Sequence, residues 1–199
     1  METIADGIRT WPWFSAPHGY NFNGMLIVHS EGNICIDPVE ANAADLDEIV
    51  RARPARVLLT NRNHVRAANR VRELTGARVA IHPADAAYAR NQGAIIDADL
   101  VAGERVVPLS VVAVPGKSPG EIALHWPERR MLIVGDAVIG NPPGRCSLLR
   151  EQVMDDPALL RQSVRKLLDL DFDALLVGDG VSIMRGARDR LRELVATFS

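Results

Sequence analysis

An α/β or α+β fold is what this sequence predicts, on three observations. Short, nearly continuous apolar runs of strand length recur, with Arg56 to Thr60, Arg78 to Ile81 and Met131 to Val134 the clearest. Such runs suit strands covered on both faces. Segments of helical period stand between and after them. There is no low-complexity linker, repeat or compositional break, so the 199 residues read as one domain, 1–199, long enough for a sizeable core.

The elements follow in order. Met25 to Val28 and Asn33 to Ile36 are apolar runs joined by His29-Ser30-Glu31-Gly32, a hairpin signal. Leu46, Ile49 and Val50 share one face of a short helix that must stop before Pro54. The strand Arg56 to Thr60 leads through a polar loop into a helix carrying Ala67, Val71 and Leu74, with Gly76 as its C-cap. Arg78 to Ile81 is a strand, and Pro83 opens a helix through Tyr88. Val106 to Val114, Ile122 to Trp126 and Met131 to Val134 form a run of strands, the last two joined by a turn at Pro127-Glu128-Arg129-Arg130. Asp156 is the expected N-cap of a helix with Pro157 at N1 and Leu160, Val164, Leu167 and Leu168 inward. Ala174 to Val177 is a strand. The closing helix carries Ala187, Leu191, Leu194, Val195 and Phe198 on one stripe.

Composition narrows the function classes. An apolar fraction of 47% with 24% charged residues is that of a globular domain. No apolar run approaches the ~20 residues of a membrane span. The acidic N-terminal stretch lacks a basic flank and apolar signal core, so a cytoplasmic location is expected. A formal net charge of −2 argues against a nucleic-acid partner. Cys35 and Cys146 alone give neither a disulfide framework nor a thiolate zinc signature. The 23 basic residues include only two lysines, Lys117 and Lys166, which makes a lysine inside a glycine-rich loop conspicuous.

Four motifs stand in order along the chain. Leu58-Leu59-Thr60-Asn61-Arg62-Asn63-His64-Val65-Arg66 comes first, then Pro115-Gly116-Lys117-Ser118-Pro119-Gly120-Glu121. Ile133-Val134-Gly135-Asp136 and Val177-Gly178-Asp179-Gly180 follow. Together they resemble the metallo-β-lactamase superfamily. There a buried strand ends in Thr-His-x-His-x-Asp-His, and a second loop reads Pro-Gly-His-Ser/Thr-Pro-Gly. A later strand delivers a bridging aspartate, and a late segment reads Gly-His-Gly. The resemblance covers nearly the whole chain.

The resemblance implies an α+β fold, a four-layer αββα sandwich, and a place for a binuclear metal site. Of seven ligand positions (Asn61, Asn63, Val65, Arg66, Lys117, Asp136 and Asp179), only Asp136 keeps the family residue. Zinc takes imidazole, thiolate or carboxylate, usually three or four around one ion. Amides are poor ligands, valine is none, and Arg66 and Lys117 would bring positive charge toward the ion. The expectation is therefore no metal cofactor. The alternative is a single zinc, iron or manganese ion held through Asp136 and Asp179, with His64 as a third acceptor.

Charge replacement is the other consequence. Two aspartates directed into a former metal pocket need cations, because an unpaired buried carboxylate is costly. Lys117 or Arg66 is expected to lie within ion-pair reach of Asp136 or Asp179. His64, on a loop expected at the pocket mouth, is a general-base candidate by its unperturbed pKa near ~6.5, set against a plain hydrogen-bonding role. If activity is present, His64 and Asp136 would carry it.

Arg62, Arg66 and Arg70 recur at four-residue spacing where the loop enters a helix, which suits a small anion. A solvated basic face paired with Glu73 is the bland alternative. Asn61, Arg62, Asn63, Arg66, Lys117 and Asp179 are thus the expected ligand-binding residues. Trp11, Trp13, Phe14, Tyr20 and Phe22 are five of the nine aromatics. Core packing is expected of them, with a homodimer contact as the alternative. Asn141-Pro142-Pro143-Gly144 reads as a rim turn and Cys146 as an inert thiol.

The functional expectation is a pseudoenzyme that binds a small anionic molecule or partner. The alternative is a hydrolase of an ester, thioester or phosphoester, using one non-standard metal or none. Whether the chain is an enzyme stays open at this level.

Overall fold

The computed structural model describes residues 1–198, and among them the chain forms twelve strands and five α-helices. These fall into two compact units, Met1–Leu100 and the residues from Val101 on, where composition alone marks no break.

In the first unit, β1 (Glu2–Ala5), β2 (Ile8–Ser15), β3 (Tyr20–Ile27), β4 (Ile34–Ile36), β5 (Arg56–Leu59), β6 (Arg78–Ile81) and β7 (Ala98–Asp99) form one sheet in sequence order. Neighbours are antiparallel up to β4 and parallel from β4 to β7. Parallel neighbours need crossovers. Helices α1 (Ala43–Ala52), α2 (Ala68–Thr75) and α3 (Pro83–Asn91) lie in them. Alternate residues Val57 and Leu59 of β5 and Val79 and Ile81 of β6 meet Ile49, Val71 and Ala89 from the helices in one buried core. The neighbours Leu58 and Ala80 are also buried, so these strands are covered on both faces as their apolar runs predict.

Local chemistry sets the helix ends. Asn42 caps α1 by accepting from the Asp45 N–H at 2.9 Å. Gly76 ends α2 in the left-handed region, as expected.

The aromatic expectation holds only in part. Trp11 is fully buried and its indole N–H donates to the Val39 carbonyl at 3.1 Å. Trp13 and Phe14, however, are 41% and 61% exposed. They sit near the turn of the β2–β3 hairpin, where Trp13 pairs with Phe22 across the strands. There the Trp13 and Phe22 rings meet at a tilt of 35°, with centroids 5.8 Å apart.

In the second unit the sheet order is β12 (Ala174–Val177), β11 (Met131–Val134), β10 (Ile122–Trp126), β9 (Leu109–Ala113), β8 (Arg105–Val106). The expected single strand from Val106 to Val114 is split at Val107-Pro108, since proline has no N–H to give the ladder. Helices α4 (Pro157–Leu167) and α5 (Ala187–Val195) contribute Leu160, Val164, Leu167, Ala187 and Leu191 to a core with Leu132, Val134, Leu175 and Val177. Asp156 caps α4 as the sequence predicts, accepting from the Leu159 N–H at 2.9 Å.

Candidate functional site

The first unit carries its motif loop between β5 and α2. Thr60, fully buried, gives both its hydrogens to Asp37, the N–H at 2.8 Å and the hydroxyl at 2.6 Å. Asp37 follows β4 in a left-handed conformation, φ 45°, and its own N–H donates to the Leu58 carbonyl. His64 Nδ1 lies 2.9 Å from the Asp37 carboxylate and 3.1 Å from Thr60 Oγ1. Thr60 spends its hydroxyl hydrogen on Asp37, so Nδ1 is the donor toward this pair.

His64 is therefore not a residue of the pocket mouth but a fully buried one. Its position inverts the expectation because the loop turns on itself. The Asn61 side-chain oxygen accepts the Asn63 N–H at 2.8 Å, and the Asn61 carbonyl accepts the His64 N–H at 3.2 Å. Asn61 is buried and Asn63 exposed.

The arginines are held by rings. The Arg62 guanidinium lies 4.5 Å from the Tyr88 centroid, while its backbone N–H donates to Asp85 at 2.9 Å. Arg66 lies 4.1 Å above Phe22. A guanidinium over an aromatic face keeps its charge while its hydrogens point sideways. Arg70, by contrast, is exposed and pairs with Glu73 at 3.1 Å, so the bland alternative holds for that residue.

The second unit brings Lys117, Glu121, Asp136 and Asp179 together. After β9 the chain enters the Pro115–Glu121 loop, which the start of α4 clasps. The Asp156 N–H donates to the Gly116 carbonyl at 2.8 Å, and Ser163 Oγ donates to the Pro115 carbonyl at 2.8 Å. Gly116 has φ 136°, and a Cβ there would stand 2.3 Å from the Leu160 backbone nitrogen, so no larger residue fits. Lys117 is thereby aimed inward, and its Nζ lies 2.8 Å from Asp136 Oδ2. The two side chains are 8% and 7% exposed. The predicted ion pair is present for Lys117.

Glu121 closes the second motif. Its Oε1 accepts the N–H groups of Asp136 and Ala137, at 2.8 and 3.2 Å, and so fixes the turn that follows β11. Asp179 follows β12 and is 3% exposed. Its carbonyl accepts the Gly140 N–H at 2.9 Å, and the Gly140 carbonyl accepts the Val181 N–H at 2.9 Å. This reciprocal contact draws the two loops together, and carboxylate oxygens of Asp136 and Asp179 come within 4.8 Å of each other. The Lys117 ammonium stands against Asp136 of these two carboxyl groups. Cys146 is buried and its thiol is pushed up to about 11 by burial, with Glu193 adding to it, in keeping with an inert side chain.

The motif order, the two mixed units and these loops define a metallo-β-lactamase fold. The chain belongs to the metallo-β-lactamase superfamily, whose family model matches residues 4–198. Over 130 residues it is 34% identical to a hydroxyacylglutathione hydrolase of Cereibacter sphaeroides, covering 62% of this chain and 47% of that protein. The chain thus spans about half the length of the curated relative it matches. Among solved structures, TTHA1623 in a di-iron-bound form is 27% identical with a TM-score of 0.69, covering 91% of this chain and 98% of that one. A metallo-β-lactamase from Erythrobacter litoralis, solved with β-mercaptoethanol in its active site, has a TM-score of 0.77 at 17% identity, with 99% and 96% covered. Among the described residues no helix is long and apolar enough to cross a membrane.

Proposed function

We propose that this chain is a superfamily member whose metal site has been replaced by a built-in cation, and that it binds a small anionic molecule without hydrolysing it. The observation that carries the reading is the Lys117 ammonium 2.8 Å from the Asp136 carboxylate, both buried. Asp136 is the one position that keeps the family's ligand type. A divalent ion placed about 4 Å from that ammonium would meet a repulsion of about 8 kcal/mol at an effective dielectric near 20. The remaining positions offer Asn61, Asn63, Val65, Arg66 and Asp179, a donor set that does not fit a binuclear zinc or iron centre.

Anion binding falls to the Asn61–Arg66 loop of the first unit. Its two guanidiniums are ring-supported, whereas the charge of Lys117 is spent on Asp136. The reading places the protein in the cytoplasm. It leaves the exposed Trp13 and Phe14 as the surface for a second copy of this chain. Titration calorimetry with inorganic phosphate and acetate tests it, alongside assays on hydroxyacylglutathione. Binding that is lost in Arg66→Ala, with no turnover, is the expected result.

A second reading, a hydrolase, has its own support. The relative's activity is one part, and the buried Asp37–His64 contact at 2.9 Å, which orients the imidazole, is the other. Here His64 would take a proton from the attacking water, an effect worth ~10²–10⁴-fold. A single zinc, iron or manganese ion on Asp136 and Asp179, with Lys117 displaced, is its metal-dependent variant. Turnover in the presence of chelator that disappears in His64→Ala would favour the first form. Turnover restored by added metal would favour the second.

A further inference from the structure

We propose that α3 is a pH-sensitive latch on the Asn61–Arg66 loop, released when His82 takes up a proton. This goes beyond the anion-binding reading and does not depend on it. His82 is the N-cap residue of α3, and its Nδ1 accepts the Ala84 N–H at 3.2 Å. A backbone N–H can only donate, so Nδ1 carries its lone pair there and the ring is neutral. An imidazolium donates from both nitrogens and has nothing to offer that N–H. It would also set a positive charge against the positive end of the helix. Pro83 at N1 has no N–H, and the Asp85 N–H goes to the His82 carbonyl at 3.0 Å. The N–H groups of residues 84 and 85 thus both end on His82.

The helix leans on that cap because its apolar anchor is small. It has nine residues and sends only Ala86 and Ala89 into the core, and a helix so short is marginal by itself. Arg62 is tied to it three times. The Arg62 N–H donates to Asp85 Oδ2 at 2.9 Å, its guanidinium lies over the Tyr88 ring, and its carbonyl accepts from Gln92 Nε2 at 2.7 Å. Asp85 is fully buried in the first turn of α3, so fraying of that turn is felt at Arg62. Charged groups on the elements beside His82 are Asp85 on its own helix, Arg62 from the loop and Asp99, which β7 sets beside Ile81. Thr60 follows Leu59, the β5 partner of Ile81, and carries the Asp37–His64 contact on the next strand. Asp85 and Asp99 favour an imidazolium, but Asp85 is engaged by the Arg62 N–H and Asp99 is exposed. The lost cap and the helix end act on the ring directly.

Histidine is the side chain that ordinarily changes charge between about pH 5 and 8. The test is amide hydrogen exchange by NMR at both ends of that range, on the wild type, His82→Asn and His82→Ala, each rate taken relative to its intrinsic value at that pH. Asparagine is a strong N-cap that does not titrate, and alanine removes the cap at every pH. One cap is worth about fivefold in the opening equilibrium of the turn it closes. In the wild type, protection of the Ala84 and Arg62 amides should fall about fivefold from pH 8 to pH 5. In His82→Asn it should stay within about twofold, and in His82→Ala it should be low at both pH values. The Val71 amide in α2, bonded to the Ala67 carbonyl, is the control and should not follow. The same fall in His82→Asn as in the wild type, no fall in the wild type, or an equal fall at Val71 overturns the latch.

Discussion

Replacing Lys117 by methionine removes the ammonium and keeps most of the stem. The pair it breaks is 2.8 Å long and more than nine-tenths buried on both sides. At an effective dielectric near 20, its attraction is about 6 kcal/mol, part of which is offset by no longer burying the ammonium. Asp136 then faces a carboxylate oxygen of Asp179 within 4.8 Å, a repulsion of at least about 3.5 kcal/mol at the same dielectric that the ammonium no longer offsets. Truncating one partner of a buried pair typically costs ~3–5 kcal/mol, so about 4 kcal/mol is expected. Equilibrium unfolding in urea should show a midpoint lower by roughly 1.5 M at a slope near 2.5 kcal/mol/M. Asp136→Asn should cost clearly less, because it relieves the carboxylate repulsion and keeps an oxygen that accepts from Lys117. The double variant Lys117→Met/Asp136→Asn should recover most of the loss, with a coupling of at least about 2 kcal/mol. A single variant within about 1 kcal/mol of wild type, or strictly additive effects, would refute the charge-replacement argument.

Two further predictions concern the frame that holds these loops. Asp97 is held down to about 2, chiefly by the Arg72 guanidinium and then by the Val79 N–H, each at 2.9 Å. A folded pKa below the unfolded ~3.9 gives stability that is present above pH 4 and lost as pH falls toward 2. Asp97→Asn should therefore cost about 1 kcal/mol at pH 7, after discounting for solvent screening of a partly exposed pair, and the difference should close between pH 4 and 2. A pH-independent difference would sink that assignment. Gly140→Ala would set a Cβ 2.1 Å from the Val181 carbonyl oxygen and push apart the loops carrying Asp136 and Asp179. Overpacking of this kind costs ~1–3 kcal/mol, or a fall of roughly 5–10 °C in Tm at its upper end. A melting temperature unchanged within 2 °C would mean that the loops yield freely.

The fold was legible because each motif pairs a buried strand with a glycine-rich or polar loop, and their order along the chain is hard to reach by chance. Lys117 was legible as a partner for Asp136 because a cation at a position where the family carries a metal ligand has few other ways to be buried. What escaped was long-range. Asp37 lies 23 residues before Thr60, and only the Ile36-Asp37-Pro38 strand exit hinted at a buried acid there. Without it His64 looks like a loop residue, whereas the Asp37 carboxylate draws the ring inside. The β2–β3 hairpin is not legible in its full length, since Trp11, Trp13 and Phe14 read as core by type although only Trp11 is buried and the two nearer the turn run out past the core. Asn61 was singled out by position alone, and its orphaned amide nitrogen is a fact of geometry that no sequence pattern carries.

Elemental analysis of the protein purified without chelator, followed by thermal unfolding with added zinc, tests the central claim most directly. The account predicts zinc, iron and manganese well below one equivalent. It also predicts a Tm that does not rise with zinc, although a tight native-state ligand at a hundredfold excess over its Kd would add ~2.7 kcal/mol. One equivalent of metal that survives dialysis, and that is lost in Asp136→Asn or Asp179→Asn, would contradict the replacement of the ion by Lys117.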